Sequence, residues 1–246
     1  MSVWLTIPSA RPAEQAIPLL TLWRERGYRI SVWRDQADEV SRWADAAICA
    51  PKRPVPPGCS VYPGYSVTSN MLVYLAGLRH HRKHPADWCV CGGDDVEPDL
   101  AHTAEEIAAE CAAHFRGTFG VMQPTGDRWA QGHIDRIAGS PWIGSEFAHR
   151  AYGGNGPYWH EYRHMFADEE LFEVAHKLGV YWARPDLIHL HRHWTRDGAI
   201  ANWTKVMPEF LREANSKEHW AKYKALFNAR KVAGFPGHEL LAEEQR

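Results

Sequence analysis

The chain has 246 residues, a formal net charge of −2, 45% hydrophobic residues and 24% charged residues. This composition is typical of a soluble globular protein, and it lacks the overall basic excess of a protein that functions mainly by clamping nucleic acid. No apolar run approaches the roughly 20 residues that span a bilayer, and the first residues lack the basic region of a signal peptide. Five scattered cysteines do not suggest a disulfide framework, so we expect a cytoplasmic protein without a membrane span.

Apolar strands alternate with amphipathic helices over the first 120 residues. The predicted strands are residues 3–7, 28–33, 46–49, 87–91 and 118–122, and the predicted helices are residues 12–26, 68–81 and 99–115. Residues 51–63 contain five prolines and are predicted to form a loop. This alternation predicts an α/β fold, with a mostly parallel sheet flanked by helices.

The pattern changes after Gln123 to loops rich in Gly, Pro, Trp and His. One helix is predicted over residues 168–178, and two amphipathic helices are predicted over residues 199–214 and 216–230. Between Trp203 and Lys231 there are seven Lys or Arg residues and three Glu residues. This basic segment is either a solvated helix face or a surface for an anionic partner.

Two adjacent aspartates follow a predicted buried strand in CVCGGDDVEPDL, residues 89–100. Ligands of open α/β sheets bind beyond the carboxyl ends of strands, where Asp94 and Asp95 are expected. Neighbouring carboxylates repel each other unless a cation or hydrogen-bond donors offset their charge. The pair is therefore either a turn that caps the next helix or one wall of a metal–diphosphate site.

This segment resembles the D-x-D region of nucleotide-sugar glycosyltransferases of the GT-A (Rossmann-like) fold, especially the inverting family-two group. The resemblance implies that Asp95 contacts a divalent metal, Mn²⁺ or Mg²⁺, and that Asp94 lies beside the donor. Gly93 stands where the first aspartate of the family motif often lies.

Three further segments resemble the donor site of this family. VWLTIPSAR resembles the first strand and loop that hold the nucleotide, which implies that Thr6, Pro8 and Arg11 lie near the base and ribose. Asp35 stands where the family often has an aspartate that contacts uracil or ribose, although a turn or N-cap role is an equal alternative. Asn70 opens a predicted helix that the family places near the nucleotide.

The segment MFADEELFEVAHKLGV, residues 165–180, resembles the family segment that carries the catalytic base. The resemblance implies that Asp168 is the base, with Glu169 as the reserve candidate and Glu170 as a surface or acceptor-facing group. Ala167 replaces the glutamate that usually precedes the base. The alternative is that these carboxylates only complement the helix dipole.

Three histidines alternate in RPDLIHLHRHW, at positions 189, 191 and 193, and would share one face if the segment is extended. Many GT-A enzymes supply a late histidine as a metal ligand, which implies that His191 or His193 binds the metal. Imidazole suits Mn²⁺ better than Mg²⁺.

Aromatic residues between the last predicted strand and the base helix lie where the family builds its acceptor site. Trp142, Tyr158 and Trp159 are therefore expected to stack on the acceptor.

The resemblance covers residues 3–194 and implies a nucleotide-binding half over about 1–122, an acceptor half over about 123–198 and a helical extension over 199–246. It implies a metal-dependent inverting hexosyl- or pentosyltransferase that uses a nucleotide-diphospho-sugar, with a UDP-sugar favoured. The acceptor is either a small molecule, lipid or protein, or a hydroxymethylated pyrimidine in phage DNA, in which case the protein would act in the host cytoplasm. A metal-dependent hydrolase and a non-catalytic nucleotide-sugar binding protein are the two alternatives of other classes.

Overall fold

A seven-stranded sheet forms the centre of the computed structural model, which describes residues 1–34, 36–49, 86–127, 135–154, 156–192 and 216–239. Its strands are β1 (Val3–Pro8), β2 (Arg29–Arg34), β3 (Ala46–Cys49), β4 (Trp88–Cys91), β6 (Val121–Pro124), β7 (Trp142–Gly144) and β8 (Tyr181–Arg184). Two short strands, β5 (Val96–Glu97) and β9 (Leu190–His191), pair separately and antiparallel. The helices are α1 (Ala13–Glu25), α2 (Glu39–Trp43), α3 (Ala104–Phe115), α4 (Ser145–Arg150), α5 (Ala167–Lys177) and α6 (Lys217–Val232).

The order of strands across the sheet is β3-β2-β1-β4-β7-β6-β8. All neighbouring pairs are parallel except those of β7, which runs antiparallel to both β4 and β6. The predicted α/β fold with a mostly parallel sheet is confirmed, and this order is consistent with the GT-A fold that the resemblance implies.

Side chains of β1 and β4 alternate between two apolar cores, one on each face of the sheet. Leu5 and Val90 point into the core that α1 and α3 cover, while Trp4 and Cys89 point into the core that α4, α5 and α6 cover. Because both faces of these strands are buried, their sequences are continuous apolar runs.

The helix predicted over residues 99–115 begins later, at Ala104. Thr103 and Glu106 form a reciprocal capping box at that end. Asp99 is instead 4% exposed and accepts hydrogen bonds from the backbone N–H groups of Ala101, His102 and Ile188. Its carboxylate therefore organises the turn before α3 and fixes it to the segment before β9.

The sequence pattern did not predict β7 and α4, which lie within the segment assigned to the acceptor site. Gly144 ends β7 in close contact with the loop before β6, and a side chain at this position would collide with the carbonyl group of Thr118. A glycine here thus permits the antiparallel strand to lie between β4 and β6.

Several predictions concern residues outside the described ranges: the loop 51–63, the helices 68–81 and 199–214, and the site residues Asp35, Asn70 and His193. Within those ranges, α5 and α6 confirm the helices predicted over residues 168–178 and 216–230. None of the described helices is long and apolar enough to cross a lipid bilayer.

Candidate functional site

Polar side chains that follow β1 and β4 meet at one edge of the sheet. Because the two strands are parallel neighbours, their carboxyl ends lie side by side. The hydroxyl group of Ser9 donates to Asp94 Oδ2 at 2.7 Å, and Arg11 Nε lies 2.7 Å from Asp94 Oδ1. Arg11 also reaches Asp95, with Nη2 3.7 Å from Oδ2. The Arg11 guanidinium thus offsets the repulsion between the two aspartates.

Arg34, at the end of β2, holds Ser9 in place. Its Nη1 donates to the carbonyl oxygen of Ser9 at 2.7 Å and lies 3.2 Å from the hydroxyl oxygen. Asp38, the N-cap of α2, pairs with the same guanidinium, and this pairing contributes to a lowered pKa of Asp38 despite partial burial. The ends of β1, β2 and β4 therefore meet at Asp94. The sequence analysis did not identify Ser9 and Arg34 as site residues, although both lie at strand ends.

The structure corrects the roles expected from the first strand. Thr6 and Pro8 are both buried within β1. Neither side chain faces the edge of the sheet, since a central strand of a covered sheet is enclosed on both faces. Arg11 lies against the two aspartates, and its role near the base and ribose stays a prediction.

Burial raises the pKa of Asp94, while the neighbouring Arg11 opposes this shift and Asp95 adds to it. The Asp94 side chain is 16% exposed and Asp95 is 23% exposed. Asp95 is thus the more accessible carboxylate of the pair.

His191 of β9 lies next to Asp95, with Nε2 3.4 Å from Oδ1. The backbone fixes this contact, because Arg192 N–H donates to the carbonyl oxygen of Asp95 at 2.6 Å and β9 pairs with β5. Asp127 adds support by accepting from His191 N–H at 2.9 Å. Residues nearly one hundred positions apart in the chain therefore form one wall of the site.

The Asp95–His191 pair fits a divalent cation. Two ligand atoms bonded to one ion at about 2.1 Å lie about 3 Å apart, close to the observed 3.4 Å. No group of three or more His, Cys, Asp or Glu side chains suited to a metal exists within the described ranges. Two protein ligands nevertheless suffice for an ion that takes its other ligands from a diphosphate and water.

His189 does not share this environment. It is 3% exposed, and its ring packs edge-on against Trp23 with centroids 5.0 Å apart. Nδ1 lies 3.2 Å from the carbonyl oxygen of Ser140, and burial lowers the pKa of His189 to about 4. His189 is a neutral core residue, so the expected three-histidine face is reduced to His191 among the described positions.

Asp168 and Glu169 lie in the first turn of α5, after Phe166 in the left-handed region with a φ of 70°. Burial raises the pKa of Glu169 to about 9, and the charge of Asp168 and a hydrogen bond to it act in the same direction. The raised pKa favours the protonated form of Glu169 near neutral pH, next to Asp168.

His164 interacts electrostatically with both the Asp94–Asp95 turn and the first turn of α5. The sequence analysis did not identify His164 as a site residue. Burial lowers its pKa and the charge of His219 adds to this, whereas the charges of Asp168 and Asp95 oppose the shift. The half-buried imidazole is thus within electrostatic range of both carboxylates.

The sequence predicted that Glu170 lies on the helix surface or faces the acceptor. This prediction is wrong, because Glu170 is fully buried. Arg230 of α6 donates to both of its carboxylate oxygens, at 2.8 and 2.6 Å. The hydroxyl groups of Tyr152 and Tyr162 donate to the same two oxygens at 2.7 and 2.8 Å. Glu170 thus anchors α6 to the turn that carries Asp168.

The predicted acceptor aromatics are also corrected. Trp142 is fully buried in β7, and Tyr158 is 1% exposed, so neither ring has a face for an acceptor. Trp159 is half-buried, with the Arg230 guanidinium 3.8 Å from its ring centroid and its Nε1 donating to Glu161 at 3.0 Å. The buried rings of Trp142 and Tyr158 therefore serve packing, whereas the role of Trp159 at the acceptor stays a prediction.

No protein-family model and no curated protein matches the chain. Among solved structures it is similar to one described as the crystal structure of S. aureus TarS 1-349, with 10% sequence identity and a TM-score of 0.48. The similarity covers 77% of this chain but only 59% of that one.

Proposed function

We propose that this protein is a metal-dependent inverting glycosyltransferase that moves a hexosyl or pentosyl group from a nucleotide-diphospho-sugar to an acceptor hydroxyl. The observation that carries the proposal is the contact between Asp95 and His191, 3.4 Å apart at the carboxyl edge of the sheet. His164 lies within electrostatic range of both Asp95 and Asp168, which supports a single site for donor and base.

Asp95 and His191 would hold Mn²⁺ or Mg²⁺ together with the donor diphosphate. The bound ion would offset the charge that develops on the leaving diphosphate. Arg11 contacts both aspartates and is the nearest cation for a phosphate oxygen; Asp94 fixes its position and is itself held by Ser9. Asp35 and Asn70 remain proposed contacts of the nucleotide, with uracil favoured as its base.

Asp168 would accept the proton of the acceptor hydroxyl as that oxygen attacks the anomeric carbon. The bond from that carbon to the diphosphate oxygen breaks in the same step, so the anomeric configuration inverts. Protonated Glu169 donates to Asp168 and orients it for this transfer.

The proposed acceptor is a hydroxymethylated pyrimidine in DNA, as a phage-encoded enzyme would use. The exposed lysines of α6 and their position beside α5 support an anionic acceptor. Small-molecule, lipid and protein acceptors are the alternatives. A two-metal hydrolase is disfavoured, because the described residues contain no cluster of three or more metal-binding side chains.

A thermal-shift panel tests the donor site. The panel uses UDP-, GDP-, TDP- and CMP-sugars, each with and without Mn²⁺ or Mg²⁺. A ligand at about one hundred times its dissociation constant stabilises the folded state by about 2.7 kcal/mol. We expect UDP-sugars to raise the melting temperature only in the presence of metal.

Asp95→Ala and His191→Ala should abolish this metal-dependent shift, since each removes one of the two protein ligands. The matched control is Glu105→Ala, which removes an exposed carboxylate from α3. Absence of a shift with every nucleotide would refute the donor site. A metal-dependent shift without transfer to any acceptor would instead indicate a non-catalytic binding protein.

A further inference from the structure

Four exposed residues of α6 form one stripe along the helix: Lys217, Trp220, Ala221 and Lys224. Their spacing of three, four and seven positions places them on one face. Trp220 is 45% exposed, and Lys224 Nζ lies 4.3 Å from the centre of its ring. An indole ring that keeps this much exposure between two lysines is not explained by core packing.

A shallow cavity of about 470 Å³ lies beside this stripe, lined by Met165, Lys217, Trp220 and Ala221. Met165 is three residues before Asp168, and the ring centroids of Phe166 and Trp220 are 5.9 Å apart. The stripe is therefore next to the first turn of α5.

The position of the stripe is fixed by the rest of α6. Phe227 stacks on Phe166 with centroids 5.6 Å apart, and Arg230 is bound to buried Glu170. Arg230 and Lys231 have carboxylate partners, whereas Lys217 and Lys224 form no ion pair with any residue in the described ranges. Two cations of the stripe are thus available to an anionic ligand.

We propose that this stripe binds a single-stranded nucleic acid segment and presents it to Asp168, with a base stacked on Trp220 and phosphates contacting Lys217 and Lys224. Stacked aromatic side chains beside cations are the usual means of binding single strands without sequence preference. Lysine is depleted at protein–protein interfaces, so a protein ligand fits this surface less well. An enzyme that modifies a base also needs it outside the duplex stack, or in a strand that is already single.

The identification of this strand as the acceptor rests on the proposed function, but its binding does not. The test is fluorescence anisotropy with a labelled oligothymidylate of about 16 nucleotides, the upper end of single-strand site sizes. A matched abasic strand of the same length provides the phosphates without the bases. Neither measurement requires donor, metal or catalysis.

Trp220→Leu keeps apolar volume against Phe166 but removes the ring. We expect it to weaken binding of the oligothymidylate by about fivefold or more, the lower end of base–aromatic stacking, and to leave the abasic strand unaffected. Val232→Ala is the control, because it trims another exposed apolar residue of α6 away from the stripe.

Lys224→Glu should weaken binding more than Lys222→Glu, which makes the same charge change on the same helix off the stripe. The slope of log affinity against log salt, measured between about 50 and 200 mM, should fall in magnitude by about 0.7 for the lost phosphate contact. Equal losses in the two lysine variants would show a long-range charge effect and overturn the proposal.

Two other results would also overturn the proposal. The first is no binding of the oligothymidylate at the lowest salt concentration. The second is equal binding of the normal and abasic strands, together with unchanged binding by the Trp220→Leu variant. The second result would indicate a base-free anionic polymer as the ligand. Failure of this proposal is separable from failure of the proposed function, since the donor thermal shifts are measured without nucleic acid.

Discussion

At the scale of single residues, the site contains two pairs of adjacent carboxylates that relieve their repulsion in different ways. Asp94 and Asp95 share the Arg11 guanidinium. Burial instead raises the pKa of Glu169 to about 9, which favours its protonated form beside Asp168. The sequence ranked Asp168 as the candidate base with Glu169 in reserve, and the raised pKa of Glu169 supports that proposed order.

Asp168→Asn and Glu169→Gln should therefore differ strongly in activity. Asparagine cannot accept the acceptor proton, so turnover should fall by about 10²- to 10⁴-fold. Glutamine reproduces the donated hydrogen bond of protonated Glu169 and should keep turnover within about tenfold. The measurement is steady-state transfer with the donor and metal that the thermal shifts identify. Equal losses in both variants would assign the base role to Glu169 or to the pair jointly.

At the scale of elements, α6 is held to α5 by two ion pairs of different kinds. Arg230 and Glu170 are both buried, with side chains 7% and 1% exposed, whereas Lys231 and Glu173 are 50% and 36% exposed. A buried pair that loses one partner leaves an uncompensated charge, but an exposed pair is screened by water. The helix is thus fixed mainly through Glu170.

Arg230→Leu should destabilise the protein by about 3–5 kcal/mol, because Glu170 would remain buried without its cation. Lys231→Leu, one position along the same helix, should cost less than about 1 kcal/mol. The measurement is the free energy of unfolding from urea titrations of both variants. Similar losses would show that the Glu170 network does not hold α6 in place.

At the scale of the whole molecule, two buried groups make stability depend on pH in opposite directions. His189 has a pKa of about 4 in the folded state against an ordinary 6.5, so its contribution is lost as pH falls through this interval. Glu169 has a pKa of about 9 against an ordinary 4.5, so its contribution is lost as pH rises from about 4.5 to about 9. Stability should consequently be greatest at intermediate pH.

Glu169→Gln should flatten the alkaline side of this profile, since glutamine carries no proton to lose. We expect the melting temperature of the variant to rise relative to the wild type between about pH 5 and about pH 8. Below about pH 4.5 Glu169 is protonated in both the folded and the unfolded state, so there the two profiles should run parallel and serve as the internal control. A constant difference between the two proteins across this range would show that Glu169 is ionised in the folded state.

The sequence by itself determined the features that depend on local pattern. Continuous apolar runs fixed the strands β1 to β4, amphipathic spacing fixed α1, α5 and α6, and the position of Asp94 and Asp95 after β4 followed from that strand's end. Each of these depends on neighbouring residues, whose periodicity is visible in the chain.

Only the tertiary structure decided which distant residues meet. The antiparallel β7 between β4 and β6 buried Trp142, the pairing of β5 with β9 brought His191 to Asp95, and α6 enclosed Glu170. Strand order and helix docking are set by the simultaneous burial of apolar faces across the whole chain. No local pattern records that outcome, which is why a strongly acidic helix start could be read as wholly exposed when one of its carboxylates lies in the core.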